Sequence, residues 1–92
     1  MVRIRAYVTE DGKAPYGEWF ASLDPQVAAR VQQALMRMEL GNFGDTKSVG
    51  GGVSERRIDF GPGYRVYFAK DGNTLVILLG GGTKKTSAAR YR

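Results

Sequence analysis

Polar and apolar positions change period along this chain. Val2, Ile4, Ala6 and Val8 alternate with Arg3, Arg5 and Tyr7, the two-residue period of a half-buried strand. The turn-forming stretch "TEDGK" closes that strand. Tyr16, Trp19, Phe20 and Leu23 then recur at i, i+3, i+4 and i+7, which predicts a short helix with one core-facing side. Asp24-Pro25 predicts the start of a second helix, because Asp accepts from free N–H groups and Pro suits the first helical position. Val27, Val31, Leu35 and Met38 form its buried stripe, and Gly41-Asn42 ends it. The loop "NFGDTKSVGGG" follows, with a short strand expected around Lys47–Val49. Three strand-like runs then cover Val53–Phe60, Tyr64–Lys70 and Thr74–Leu79. The pattern predicts an α+β fold: a small antiparallel β-sheet with an N-terminal strand and a helical hairpin packed on one face, in the order β-α-α-β-β-β. No repeat or long linker divides the chain, so residues 1–92 read as one domain.

The turns predict a register. A three-residue Gly61-Pro62-Gly63 loop pairs Phe60 with Tyr64, Ile58 with Val66 and Arg56 with Phe68 on one face. Asp59 then opposes Arg65, and Arg57 opposes Tyr67, on the other face. Asp71-Gly72, a type I′ signal, places Phe68 by Leu75, Val66 by Ile77 and Tyr64 by Leu79. The second face therefore gathers Arg57, Asp59, Arg65 and Tyr67 beside Val76 and Leu78. Arg56 is a charge on the apolar face and is expected to snorkel out at the sheet's edge.

Composition narrows the chemistry. The 92 residues contain no cysteine and no histidine, which removes disulfides, thiolate metal sites and the usual near-neutral general base. No metal or cofactor is implied. No apolar run reaches the roughly 18–20 residues of a membrane span, so a soluble cytoplasmic protein with no membrane partner is expected. The net charge of +5 is uneven: residues 1–46 carry −1 and residues 47–92 carry +6. A basic half points to a polyanionic or acidic partner.

The stretch "GGGTKKT" (residues 80–86) invites a nucleotide-loop reading, but Thr83 separates the last glycine from Lys84, contrary to the G-K-[ST] spacing. Its glycines are expected to end the last strand, and its lysines to lie near Arg65. Two arginines, a tyrosine, Lys84 and Lys85 on one surface suit an RNA backbone, since Arg and Lys neutralise phosphates and Tyr stacks or donates. RNA cleavage uses the substrate's own 2′-hydroxyl as nucleophile and needs charge stabilisation and proton transfer from the protein. Without histidine, Tyr67, a lysine or water must move the protons. The plainer reading of Arg65 and Asp59 is a cross-strand ion pair worth about 0.2–1 kcal/mol.

"GDTKSVGGGVSERRIDFGPGYRVYF" followed by "DGNTLVILLGGGTKKT" resembles the addiction-module killer proteins of the RelE/ParE toxin superfamily, in the phage-derived HigB-like branch. "APYGEWFASLD" and "ALMRMELGNFGD" extend the resemblance from residue 1 to about residue 86, with "GPGYRVYF" the most specific part. The resemblance implies the toxin of a type II toxin–antitoxin system and, for RelE-like members, a ribosome-dependent mRNA endonuclease. Its partners would be mRNA, the ribosome and a cognate antitoxin, expected to carry a helix-turn-helix domain. A ParE-like gyrase inhibitor or an inactive RNA- or antitoxin-binding relative would share the scaffold. By position, Arg65 matches the arginine set on the scissile phosphate and Arg57 a supporting basic residue. Lys84 and Lys85 match the basic residues after the last strand, and Tyr91 a C-terminal tyrosine. Tyr67 completes the expected catalytic set; Lys47 and Arg56 are further expected RNA contacts. The antitoxin is expected to cover the arginine face and to dock near Val76 and Leu78. The chain departs from the family in having Glu55-Arg56-Arg57-Ile58 where "ELRI" is usual. "GGTKKTSAARYR" also replaces "GGDKSSQ" and a C-terminal helix, so the domain is expected to lack that helix.

Overall fold

A computed structural model of the protein describes residues 1–84. Its elements are β1 (Arg3–Ala6), α1 (Pro15–Ala21), α2 (Pro25–Glu39), β2 (Thr46–Gly50), β3 (Val53–Ile58), β4 (Tyr64–Asp71) and β5 (Leu75–Thr83). The class and element order are those read from the periodicity, with β2 the short strand expected around Lys47. One five-stranded sheet runs β1-β5-β4-β3-β2. It is mixed rather than wholly antiparallel, because β1 lies parallel to β5 at the edge. That pairing spans most of the chain and has no turn to announce it. No described helix is long and apolar enough to cross a membrane.

The helices form where the sequence expected them. Pro25 opens α2, although the Asp24 side chain makes no capping bond. At the other end the Gly41 N–H donates to the Met38 carbonyl and the Asn42 N–H to that of Arg37. This is the paired closure that a glycine with positive φ permits, and Gly41 has φ 91°. Val27, Val31, Leu35 and Met38 are all buried, together with Ala34. They meet Ile58, Val66, Phe68, Val76 and Leu78 of the sheet, while Trp19, Phe20 and Leu23 pack at the margin of this core. Burying each large apolar side chain contributes about 1.5–3 kcal/mol. The N-terminal strand contributes less than its alternation suggested: it stops at Ala6, and Val8 is 55% exposed.

Both hairpins depart from the predicted register. Between β3 and β4, Ile58 opposes Tyr64, Arg57 opposes Arg65 and Glu55 opposes Tyr67. The loop is residues 59–63, longer by two than expected, because the Gly63 N–H closes a turn onto the Phe60 carbonyl. A shift of two keeps every side chain on its expected face. It also separates Asp59 from Arg65, so the expected ion pair between them does not form.

Between β4 and β5 the shift is odd. Asp71 opposes Leu75 and Phe68 opposes Leu78, so Gly72–Thr74 form a three-residue loop in place of the two-residue turn. The faces exchange. Val76 and Leu78, expected on the polar face as a docking surface, are buried in the core at 0% and 3% exposure. A bulge in β5, opposite the Tyr67–Phe68 step of β4, leaves Leu79 extra, since Phe68 opposes Leu78 and Tyr67 opposes Gly80. The glycines do not end the strand either, as β5 runs through them to Thr83.

Gly81 shows why they are glycines. It opposes Val66 on the helix side, and a Cβ there would stand 2.3–2.5 Å from ring atoms of Trp19. The absent side chain lets α1 settle directly on β5. Gly81→Ala is therefore expected to destabilise the fold by about 1–3 kcal/mol, the usual range for an overpacked core. Urea unfolding checks this, and an unchanged midpoint would mean that α1 lifts off β5 at no cost.

Candidate nucleic-acid interface

The sheet face away from the helices is organised around one carboxylate. Glu55 and Tyr67 are opposed across β3 and β4, Arg57 and Arg65 occupy the next opposed pair on that face, and Lys47 of β2 opposes Glu55. Arg57 and Arg65 directly opposite each other would repel. Glu55 resolves this. Arg65 Nη1 donates to Glu55 Oε1 at 2.7 Å and to Oε2 at 2.8 Å, and Arg57 Nε donates to Oε1 at 3.0 Å. The Tyr67 hydroxyl donates to Oε2 at 3.3 Å. Glu55 is only 3% exposed and Tyr67 1%, whereas the Arg65 side chain keeps 19% exposure.

The charges follow. Burial alone would raise the Glu55 carboxyl, but hydrogen bonds and charge from Arg65 and Arg57 outweigh it and hold the group below the usual carboxylate range. The same hydrogen bond to Glu55 is the main cause that holds Arg65 more firmly protonated, against the opposing effect of burial. The contact uses only Nη1 of Arg65. A guanidinium carries five N–H donors in a planar fork, so Nε and Nη2 lie outside this contact.

Arg57, Arg65 and Lys84 line one hollow of about 240 Å³, together with Gly63, Asp45 and Asp59. Lys84 is brought there by its own N–H, which donates to the Gly63 carbonyl at 3.1 Å and ties the end of β5 to the β3–β4 loop. On the other side of β4, Gly80 and Gly82 oppose Tyr67 and Arg65, so β5 presents no side chain beside them. Lys47 is exposed on the same face.

Other expected site residues fall elsewhere. Arg56 points to the opposite face and does not snorkel: it is 9% exposed, with Nη1 donating to the Arg57 carbonyl at 2.7 Å. The loop before β2 lies over it, where Gly44, at φ 57°, leaves no room for a Cβ against the guanidinium. Tyr67 is bound to Glu55 and buried rather than open to a ligand. Lys85 and Tyr91, and the expected loss of a C-terminal helix, lie outside the described residues. Sequence reasoning missed Glu55 itself, although it shares strand parity with Arg57 and so had to share its face.

The fold is thus a small α+β domain that gathers two arginines and a lysine, with two aspartates, around one surface hollow. The chain belongs to the family described as Phage derived protein Gp49-like (DUF891), which matches residues 18–92. It is also similar to an uncharacterized protein of Haemophilus influenzae, with 44% identity over 72 residues, covering 77% of this chain and 73% of that protein. No solved structure matches it.

Glu55 gives the fold a pH dependence. Its carboxyl titrates lower in the folded chain than in the unfolded chain, where a glutamate titrates near 4.3. The stability it adds is therefore complete above the unfolded value and is lost as pH falls through the folded one. Glu55→Gln is expected to cost roughly 1.5–3 kcal/mol at neutral pH, the range for hydrogen bonds to charged groups. It should also flatten the fall in urea midpoint below about pH 4. Parallel urea titrations of both proteins across acid pH test this, and identical slopes would remove Glu55 from that role.

Proposed function

We propose that this chain is the toxin of a type II toxin–antitoxin pair and acts as an endoribonuclease on mRNA, with the ribosome presenting the message. The observation that carries this reading is the convergence of Arg57, Arg65 and Lys84 on one hollow, with Glu55 holding both arginines in place. The family's phage origin and the resemblance to RelE/ParE toxins agree with it.

The chemistry is a transesterification within the RNA. The 2′-oxygen forms a bond to phosphorus, the P–O5′ bond breaks, and the products carry a cyclic 2′,3′-phosphate and a 5′-hydroxyl. Water takes the 2′-hydroxyl proton, and the Lys84 ammonium gives one to the departing 5′-oxygen. Nε and Nη2 of Arg65 meet the charge that builds on the phosphorane oxygens. Arg57 holds the phosphate from the side. Tyr67 touches no RNA in this scheme and steadies Arg65 both directly and through Glu55. The action is cytoplasmic, where messages are translated. A small antitoxin with a helix-turn-helix domain silences the site by laying an acidic segment over the arginine hollow.

Arg65→Ala is expected to abolish growth arrest on induction and to slow RNA cutting by roughly 10²-fold or more, as for loss of a donor to a developing oxyanion. A thermal melt confirms that the variant is folded, and mapping of RNA 5′ ends reads the cuts. Full toxicity with the cuts retained would sink the assignment. Arrest with relaxed DNA and intact RNA would replace it with a gyrase-binding toxin.

A further inference from the structure

A second hollow, of about 220 Å³, lies on the helix side of the β3 end and is lined by Arg30, Gln33 and Arg37 of α2 together with Arg56. It adjoins the first at the end of β3, where Asp45, Arg57, Ile58 and Asp59 line both. Arg30, Gln33 and Arg37 stand at i, i+3 and i+7, one exposed stripe of α2 facing this groove. Four arginines against two aspartates leave the groove cationic.

Arg56 is the informative member. It is nine-tenths buried, and its Nε has no hydrogen-bond partner among the described residues. Burial weakens its hold on its proton, Asp45 works the other way, and Arg37 adds to the strain. No carboxylate within the described residues forms an ion pair with it. A buried cation offset only through space is costly unless an anion approaches. Arg30, meanwhile, lies 4.6 Å from the centroid of the Phe60 ring, a cation–π contact that limits its freedom.

We propose that the α2-side groove is an anion subsite for a nucleic-acid strand, in which Arg30, Arg37 and Arg56 hold the phosphate next to the one bound by Arg57 and Arg65. The proposal rests on the RNA-cleaving reading for the identity of the strand, and on the groove alone for its affinity for phosphate. The nucleic-acid strand passes around the C-terminal end of β3, with consecutive Arg56 and Arg57 serving opposite faces of the sheet. A single-stranded backbone suits this path because it can bend around a strand end, which a duplex cannot.

The test uses the full chain and a fluorescein-labelled oligoribonucleotide with 2′-O-methyl riboses, which cannot be cut. Anisotropy is read between about 50 and 200 mM salt, where the slope of affinity against salt rises by roughly 0.7 for each phosphate neutralised on a single strand. Arg30→Gln with Arg37→Gln is expected to weaken binding roughly three- to tenfold and to lower the slope by about 0.7 for each phosphate no longer held. Gln33→Glu, which removes no packing and no arginine, is expected to weaken binding in the same direction. Unchanged affinity and slope in both variants would overturn the proposal. So would weakened binding of a polyglutamate peptide with the oligonucleotide unaffected, since the groove would then serve an acidic polypeptide. The two readings fail separately: Arg65→Ala with full cutting activity refutes the catalytic assignment, whatever the salt slope of the α2 variants shows.

Discussion

A carboxylate that is almost wholly buried holds the open face of this sheet together. Glu55 accepts from Arg65, Arg57 and Tyr67 at once, and without it the antiparallel pairing of β3 and β4 would set two guanidiniums face to face. The desolvation cost of such a group is met only if every lone pair finds a donor. Here three side chains from two strands supply them. The same contacts discriminate against a slip of register: moving β3 by two residues would offer Arg65 the exposed Asp59 instead, and an exposed pair is worth little. The clamp therefore sets both the geometry of the arginines and the alignment of the strands that carry them.

This explains which parts of the fold the sequence revealed. Helix α2 was legible because its stripe, its proline start and its glycine stop all agree, and each is a local signal. The faces of β3 and β4 were legible for a subtler reason. Their loop is longer than the Gly-Pro-Gly motif suggests by an even number of residues, so the pairing changed while the parity did not. The β4–β5 turn erred by an odd number, which flips a strand. Nothing in β5 could correct it, because Leu75–Leu79 is apolar throughout and alternation is silent there. The three glycines then read as an end to the strand, when Gly81 is in fact the bed for Trp19. The parallel seat of β1 depends on a contact spanning most of the chain, which no local pattern encodes.

The candidate site divides in the same way. Arg57, Arg65 and Tyr67 share a face by strand parity alone, and Lys84 reaches them because the end of β5 is tied to Gly63. Tyr67 was legible by position but not by state. Its burial against Glu55 arises from cross-strand pairing, which the wrong register had assigned to Arg57. Arg56 was read as an edge residue because a charge on an apolar face usually escapes to water. The loop over it, closed by Gly44 and by the Thr46 hydroxyl donating to the Phe43 carbonyl at 2.6 Å, covers it instead.

Consecutive arginines on β3 thus serve two surfaces that a sheet normally isolates. Arg57 points to the Glu55 clamp and Arg56 to the helices, and the Arg56 guanidinium bonds back to the Arg57 carbonyl. That bond fixes the backbone of one site to the side chain of the other. The Arg57 N–H in turn donates to the Asp45 carbonyl, so the loop that covers Arg56 is also anchored at the clamp. A ligand that neutralises Arg56 would steady this loop and, through it, the strand carrying Arg57. The end of β3 is therefore the point at which charge on the helix side and charge on the open face of the sheet become one mechanical unit, without histidine or metal ligation in that linkage.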